Sequence, residues 1–307
     1  MIDVVIVNWN SGELLESCIK TVISEKDSLV KNIYVIDNNS SDNSVEFLGN
    51  FNEILLIKNN ENIGFGAACN QGGRIATAKY ILFLNPDSRI FKETLSSTLN
   101  FMERKENSSI GICGVQQIDL ANQVAKTCSR FPTPRRLLFK ALGADKAFPK
   151  LGVLMSDWDH ASTRRVDQVI GAFFFVRTNV FTQLSGFDES FFVYYEEVDF
   201  SYRAKLLGWD SVYFAGAQAF HEGGGSSKNI KAKRLFYSLR SRIVYAHKHF
   251  GQVGFFVTLT ATLIIEPFSR CSIAALKFSA STIKETLLGF VMLYKWLPKW
   301  CFRGSTR

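Results

Sequence analysis

Over the first hundred residues, short apolar β-branched runs alternate with longer stretches whose apolar positions recur every three or four residues. Residues 4–7 predict a strand that ends in Asn8-Trp9-Asn10. Ser11 then offers an N-cap for a helix with apolar positions at Leu14, Leu15, Ile19 and Val22. Residues 33–36 predict a second strand, ending in the polar cluster Asp37-Asn38-Asn39-Ser40-Ser41-Asp42, with a short helix near 44–48. A third strand is expected at 54–57, then a loop over 59–66 and a helix to about Ala78. Residues 80–84 predict a fourth strand, ending in Asn85-Pro86-Asp87. Strand and helix alternating at this spacing argue for βαβ units and a mostly parallel sheet in an α/β fold.

That layout carries a functional expectation. Open α/β sheets bind ligands at the carboxyl ends of their strands. Three strands here end in polar loops, and two of those loops place an acid, Asp37 or Asp87, just after an apolar run. Together they favour a nucleotide-type site over ordinary polar turns.

The middle of the chain is less regular. Residues 111–115 and 169–176 predict strands, while 130–165, with Pro132, Pro134 and Pro149, reads as a long loop region. After the aromatic run to Tyr195 come Glu196, Glu197 and Asp199, opening a helix that should stop at Gly208. Acids at a helix start are stabilised by the dipole whatever their task. Held among aromatics at a cleft, one of them could equally act as a general base. A strand at 211–214 leads to His221-Glu222-Gly223-Gly224-Gly225-Ser226, where the glycines permit a mobile loop and His221 could complete a metal site with Asp87.

Charge sharpens the division of the chain. The net charge is +8, yet residues 228–307 hold fourteen Lys and Arg against two acids, leaving the first 227 residues at −4. The basic stretch interleaves cations with large apolar residues, which suits an anionic bilayer interface better than nucleic acid. No uninterrupted apolar run reaches the roughly 18 residues of a membrane span. The start of the chain has no basic n-region and reads as a strand rather than a signal peptide. Six cysteines without a C-x-x-C pair suggest neither a zinc site nor a disulfide framework, and free thiols fit a reducing, cytoplasmic compartment.

Seven segments in series resemble family 2 glycosyltransferases of the GT-A fold, near the rhamnosyltransferase-like branch of bacterial polysaccharide biosynthesis. They are VVIVNWN at 4–10, VIDNNSSDNS at 35–44, NIGFGAACNQG at 62–72, FLNPDSRI at 83–90, GAFFFVR at 171–177, GFDESFFVYYEEVDFSYRAKLLGW at 186–209 and FHEGGGS at 220–226. The resemblance covers roughly residues 1–250. It implies a Rossmann-like, mostly parallel central sheet with flanking helices. The expected catalytic domain spans 1–227, with a nucleotide-sugar half to about 110 and an acceptor half over 111–227. A basic amphipathic helical extension, 228–307, would follow.

The resemblance implies roles residue by residue. Val7, Asn8, Trp9 and Asn10 would line the nucleotide base and ribose, and Asp37 would bind the base or ribose. Asn62, Gly64 and Phe65 would pack beside nucleotide and sugar. Asn85-Pro86-Asp87 stands at the D-x-D motif, its first acid replaced by a neutral Asn. Asp87, with His221, would hold a Mg²⁺ or Mn²⁺ bridging the donor diphosphate. Glu196-Glu197 matches the family's acidic pair, with Glu197 the expected base and Asp199 its rival. Gly171, Ala172 and Phe173 would lie near the acceptor. The implied reaction is inverting transfer of a sugar, L-rhamnose from dTDP-rhamnose in the first instance, to a lipid-linked or polysaccharide acceptor in O-antigen or capsule assembly. A UDP-sugar donor and a catalytically silent relative are the alternatives. A nucleotidyltransferase would need a basic Gly-rich loop after the first strand, which 8–12 does not provide. The tail is expected on the cytoplasmic face of the inner membrane, or as a homodimer contact through its helices.

Overall fold

The computed structural model describes residues 1–25, 29–223 and 230–303. The chain divides into two compact units. The first comprises 1–129, 158–189 and 196–226, and the second 130–157, 190–195 and 227–307. Two segments from within the expected catalytic domain therefore belong with the C-terminal helices.

The first unit is built on one nine-stranded sheet. In chain order its strands are β1 (Ile2–Asn8), β2 (Val30–Asp37), β3 (Ile54–Lys58), β4 (Tyr80–Leu84), β5 (Ser88–Ile90) and β6 (Ile110–Ile118). A separate two-stranded ribbon pairs β7 (Cys128–Ser129) with β9 (Gln168–Val169). The main sheet is completed by β8 (Arg164–Val166), β10 (Phe173–Arg177) and β11 (Asp210–His221). The order is β3-β2-β1-β4-β10-β6-β11-β5, with β8 also on β11. The first four strands are mutually parallel, and β10 turns antiparallel between β4 and β6.

Burial explains the strand sequences. Every residue of β1 and of β4 is buried, as near-continuous apolar runs covered on both faces should be. Asp3 is the one charged residue of β1, buried like the rest, and its carboxylate is satisfied. It accepts from the amides of Thr77 and Ala78 at 2.5 and 2.8 Å and from Asn32 Nδ2 at 2.8 Å.

Several local expectations need correction. Ser11 does not cap the first helix, Glu13–Ile23; Gly12 holds the cap position at φ 54° and its amide donates to Asp42 at 3.0 Å. The expected strand at 169–176 is broken at 170–172 into β9 and β10. The expected loop after Arg130 holds helices Pro134–Leu142 and Ala144–Ala147. Thr133 accepts the Arg136 amide and Pro134 occupies the first turn, so a proline read as a loop marker starts a helix instead. The acidic helix, Glu196–Leu206, ends as expected, with Gly208 at φ 87°.

The second unit is helical. Its long elements are Lys231–His249, Gly251–Thr260, a π-helical turn at Ala261–Ile265, Glu266–Leu276 and Ala280–Arg303. The two longest helices approach closely at Gly289, where a Cβ would lie 3.0 Å from Leu235, and Glu285 accepts the Ala232 amide at 2.9 Å. Gly251–Leu276 runs as one helix of 26 residues, long and apolar enough by length and composition to cross a membrane although its apolar run is interrupted. The interruption is Glu266, only 1% exposed. It pairs with Arg242, and with Arg270 at 2.7 Å. Burial alone would raise the Glu266 carboxyl, but the two guanidinium groups hold it down at about 2. Burial, then the charges of Arg242 and Arg270, pushes the nearby Lys140 ammonium down to about 8. Of the cations expected on the tail's surface, Arg240 and Arg242 are buried and Lys228 lies outside the described residues.

Candidate active site

Parallel pairing brings the polar strand ends to one edge. Asn8 sits opposite Asp37, Asp37 opposite Lys58, and Ile6 opposite Leu84. The loops that follow are tied together by amide side chains. Asn8 Nδ2 lies 2.9 Å from Asp37 Oδ1, 2.9 Å from Ser40 Oγ and 2.8 Å from Ser44 Oγ. Asn10, at φ 50°, accepts the Ser41 amide at 2.7 Å. Asn38 donates to Asn62 Oδ1 at 2.9 Å and accepts the Ile63 amide at 3.0 Å. Asn62 Oδ1 accepts the Gly64 amide at 3.0 Å. Gly64 holds φ 90° at the start of the Phe65–Ile75 helix, where a side chain would be strained. Val7 is buried, while Trp9, Asn62 and Phe65 are half-buried beside these loops. Asn38 is a structural member of this edge that motif reading passed over. Its signal was the density of Asn and Ser after an apolar strand.

The Asn85-Pro86-Asp87 segment forms the tight turn between β4 and β5. Asn85 N–H donates to the Ala172 carbonyl at 3.0 Å, and its own carbonyl accepts the Ser88 amide at 3.0 Å. Because β5 pairs antiparallel with the end of β11, His221 stands opposite Ser88 and beside Asp87. The Glu222 amide donates to the Asp87 carbonyl at 3.1 Å, and His221 Nε2 lies 3.3 Å from Asp87 Oδ1. Both side chains are little exposed, at 13% for His221 and 10% for Asp87. A carboxylate oxygen and an imidazole nitrogen are ligand types that could together hold a divalent cation such as Mn²⁺ or Mg²⁺. No third His, Cys, Asp or Glu joins them among the described residues. Part of the glycine run after His221, from Gly224, lies outside the described residues.

The acidic pair opens the helix Glu196–Leu206. Its N-terminal turn packs on the Phe65–Ile75 helix, where a Cβ at Gly66 would stand 3.3 Å from Glu196 Cβ. Glu197 borders the strand-entry loop, since a Cβ at Gly171 would lie 4.0 Å from its Cβ and Cγ. Gly171 adjoins Ala172, whose carbonyl holds the Asn85 amide. The 170–172 break in the strand thus bridges the Asp87 turn and Glu197. Glu197 Oε2 is sealed from water and has no hydrogen-bond partner among the described residues. Burial raises its carboxyl above the ordinary value, and the amides of Glu197 and Val198 only partly offset this.

Asp199 differs. It is fully buried, and Arg203 Nε lies 2.6 Å from its Oδ2. Arg203 also donates to the carbonyls of Leu184 and Gly186 at 2.8 and 2.9 Å. The neighbouring turn is held by Asn70, which accepts the Phe187 amide at 2.8 Å and donates to the Phe187 carbonyl at 2.9 Å. Asn70 was missed as a supporting residue, because a single Asn in a helix gives no pattern.

A mixed, largely parallel sheet with polar loops at one edge, Asp87 beside His221 and an acidic helix start are the architecture of a GT-A fold. The profile of Glycosyl transferase family 2 matches residues 3–157, and the chain belongs to that family. It is 27% identical over 208 residues to the low-salt glycan biosynthesis hexosyltransferase Agl10 of Haloferax volcanii, covering 66% of this chain but only 61% of that relative. It is 25% identical over 266 residues to the N-acetylglucosaminyl-diphospho-decaprenol L-rhamnosyltransferase of Mycobacterium tuberculosis, 82% of this chain and 86% of that protein. Among solved structures, the mannosyltransferase PcManGT of Pyrobaculum calidifontis, in complex with GDP-Man and Mn²⁺, aligns at TM-score 0.58 and 12% identity over 95% of this chain and 86% of that one. At that identity the likeness concerns the fold alone.

Proposed function

We propose that the chain is an inverting, divalent-metal-dependent hexosyltransferase, moving L-rhamnose from dTDP-rhamnose to a glycan or lipid-linked glycan acceptor. The observation that carries the reading is the pairing of two features in one unit: Asp87 beside His221, and a raised Glu197 carboxyl with a buried oxygen that has no hydrogen-bond partner among the described residues. The rhamnosyl donor and lipid-linked acceptor are supported by the named activity of the Mycobacterium relative.

Asp87 and His221 would hold the cation, which supplies Lewis-acid neutralisation of the departing diphosphate. The polar edge of Asn8, Asp37 and Asn62 would seat the nucleotide. The acceptor hydroxyl oxygen attacks the anomeric carbon, the bond from that carbon to the diphosphate oxygen breaks, and the hydroxyl proton passes to Glu197. Glu197 suits this task better than Asp199. A carboxylate in a short ion pair is a weak base, whereas burial makes Glu197 a stronger one. Glu196 would keep the helix start against the neighbouring helix.

The acceptor assignment draws support from the helical unit. Val253, Phe256, Phe268 and Leu276 are largely exposed, and Lys277, Lys284, Lys295 and Lys299 are exposed with them. Apolar and cationic groups together suit the anionic cytoplasmic leaflet of a membrane. A second copy of the chain is the competing occupant of that face, and sedimentation at several concentrations separates the two.

The test is calorimetric titration with thymidine diphosphate and with uridine diphosphate, each with and without Mn²⁺. Metal-dependent binding of thymidine diphosphate, lost in Asp87→Ala, is the expected result. Selective uridine diphosphate binding reassigns the donor, and no binding of either nucleotide by folded protein overturns the reading.

A further inference from the structure

The helical unit contains a buried cation that has no counter-charge among the described residues. Arg240, on the Lys231–His249 helix, is only 5% exposed. Its guanidinium lies against three rings, with centroids at 5.2 Å for Phe192, 5.6 Å for Phe236 and 5.1 Å for Tyr237. Among the described residues Nη2 is sealed from water and has no hydrogen-bond partner, and no carboxylate pairs with the group. Arg242, two residues on, shows the ordinary solution: it is buried, but against Glu266.

Rings attract a cation through their faces but cannot accept its N–H bonds in the plane of the guanidinium. An ion taken from water without that compensation is costly, so such a group signals a missing anion. Burial has pushed Arg240 down to about 10, in keeping with this. The three rings are themselves half-buried and reach the surface in part. Phe192 stacks on Tyr237 at 5.2 Å, and Ser241 donates to the Val193 carbonyl at 2.8 Å, so segment 190–195 is fixed on this helix.

We infer that Arg240 and the rings of Phe192, Phe236 and Tyr237 form a site for the diphosphate group of an amphiphilic acceptor. The guanidinium fork matches two phosphoryl oxygens, and the rings suit the start of an attached apolar chain. The inference rests on the lipid-linked acceptor of the reading above and names the part of the acceptor this unit takes.

The full-length protein is titrated in EDTA with inorganic pyrophosphate and then with farnesyl diphosphate. Arg240→Met, whose thioether fits among rings, should weaken both at least tenfold. Thymidine diphosphate binding with Mn²⁺ should stay within twofold of the parent. Asp87→Ala should keep the metal-free pyrophosphate binding, which places that binding away from the donor turn. If Arg240→Met fails to fold, Arg240→Lys, which keeps the charge and loses the fork, should weaken pyrophosphate at least threefold. Absence of pyrophosphate binding by the parent protein, or equal binding by the folded variants, overturns the inference while normal nucleotide binding leaves the donor reading standing. An Arg240 dependence confined to phosphatidylglycerol vesicles also overturns it, making the group a membrane headgroup contact.

Discussion

The sheet unit and the helical unit both bury charge, by different means. In the sheet unit Asp3 is met by two backbone amides and an Asn, and Asn8 and Asn38 knit loops of fixed geometry. The partners of Asp3 are backbone amides and a short amide side chain, although Asp199 of the same unit meets the long side chain of Arg203 at 2.6 Å. The helical unit relies on long side chains: Arg242 and Arg270 converge on Glu266, and Arg240 lies against three rings with no carboxylate partner among the described residues. Short partners on strands fix a geometry in advance, which suits chemistry. Long cations can meet a larger and more variable group. Reaction is proposed for one unit and acceptor capture for the other, and the tests below separate them.

Glu197→Gln is the largest expected effect. It should lower kcat by about 10²–10⁴-fold, the usual worth of a general base, while nucleotide affinity stays unchanged. Glu197→Asp should recover part of the rate, and single-turnover kinetics read both. An unchanged rate would remove chemistry from this helix start. Next comes Glu266→Gln, which leaves Arg242 buried without its counter-charge and should cost about 3–5 kcal/mol by urea denaturation. A loss below about 1 kcal/mol would mean that the helical unit does not depend on its ion cluster. Asp3→Ala is smaller, about 1–3 kcal/mol, since it strands the buried amide of Ala78 and the part-buried amide of Thr77.

Acid titration separates the two units by sign. Glu266 is lowered from 4.5 to about 2, so its contribution is present above pH 4.5 and disappears as pH falls through about 2. Glu197 is raised above 4.5, so its ionisation opposes folding, and its penalty grows as pH rises from 4.5 through the folded value. Glu197→Gln should therefore leave the protein as stable or more stable at neutral pH, and Glu266→Gln should flatten the acid limb. The opposite pattern in calorimetric melts would reverse the roles of the two carboxyls. The smallest effect on stability belongs to the surface. Phe256→Ser with Phe268→Ser should change stability by less than about 0.5 kcal/mol per site. Co-sedimentation with anionic vesicles should nonetheless fall several-fold.

Much of the sheet unit was legible because its signals are local. Apolar runs gave the four parallel strands to within a few residues, and strand-end polarity gave the edge where the loops meet. The approach of His221 to Asp87 was also foreseeable, but only the β5–β11 pairing provides its geometry. Asn38 and Asn70 were opaque, because their partners lie up to 117 residues away. The helical unit was harder to read. Pro134 looked like a loop residue although it starts a helix, and Glu266 interrupted the apolar pattern of a helix that continues through it. Cations at 240 and 242 were read with the rest of the basic stretch as facing an anionic bilayer, since composition does not tell which side of a helix is covered.

The helical unit is discontinuous in the chain: 130–157 and 190–195 belong with the C-terminal helices. Modular engineering is constrained by that arrangement. Cutting after residue 226 would not release a self-contained catalytic fragment. It would leave the helix Pro134–Leu142, with buried Leu137 and Ala141, and a six-residue loop ending at Tyr195, stripped of the companions they pack with. Chimeras that exchange the helical unit between relatives must therefore transplant all three segments together, and random truncation libraries should yield little soluble protein ending near that point.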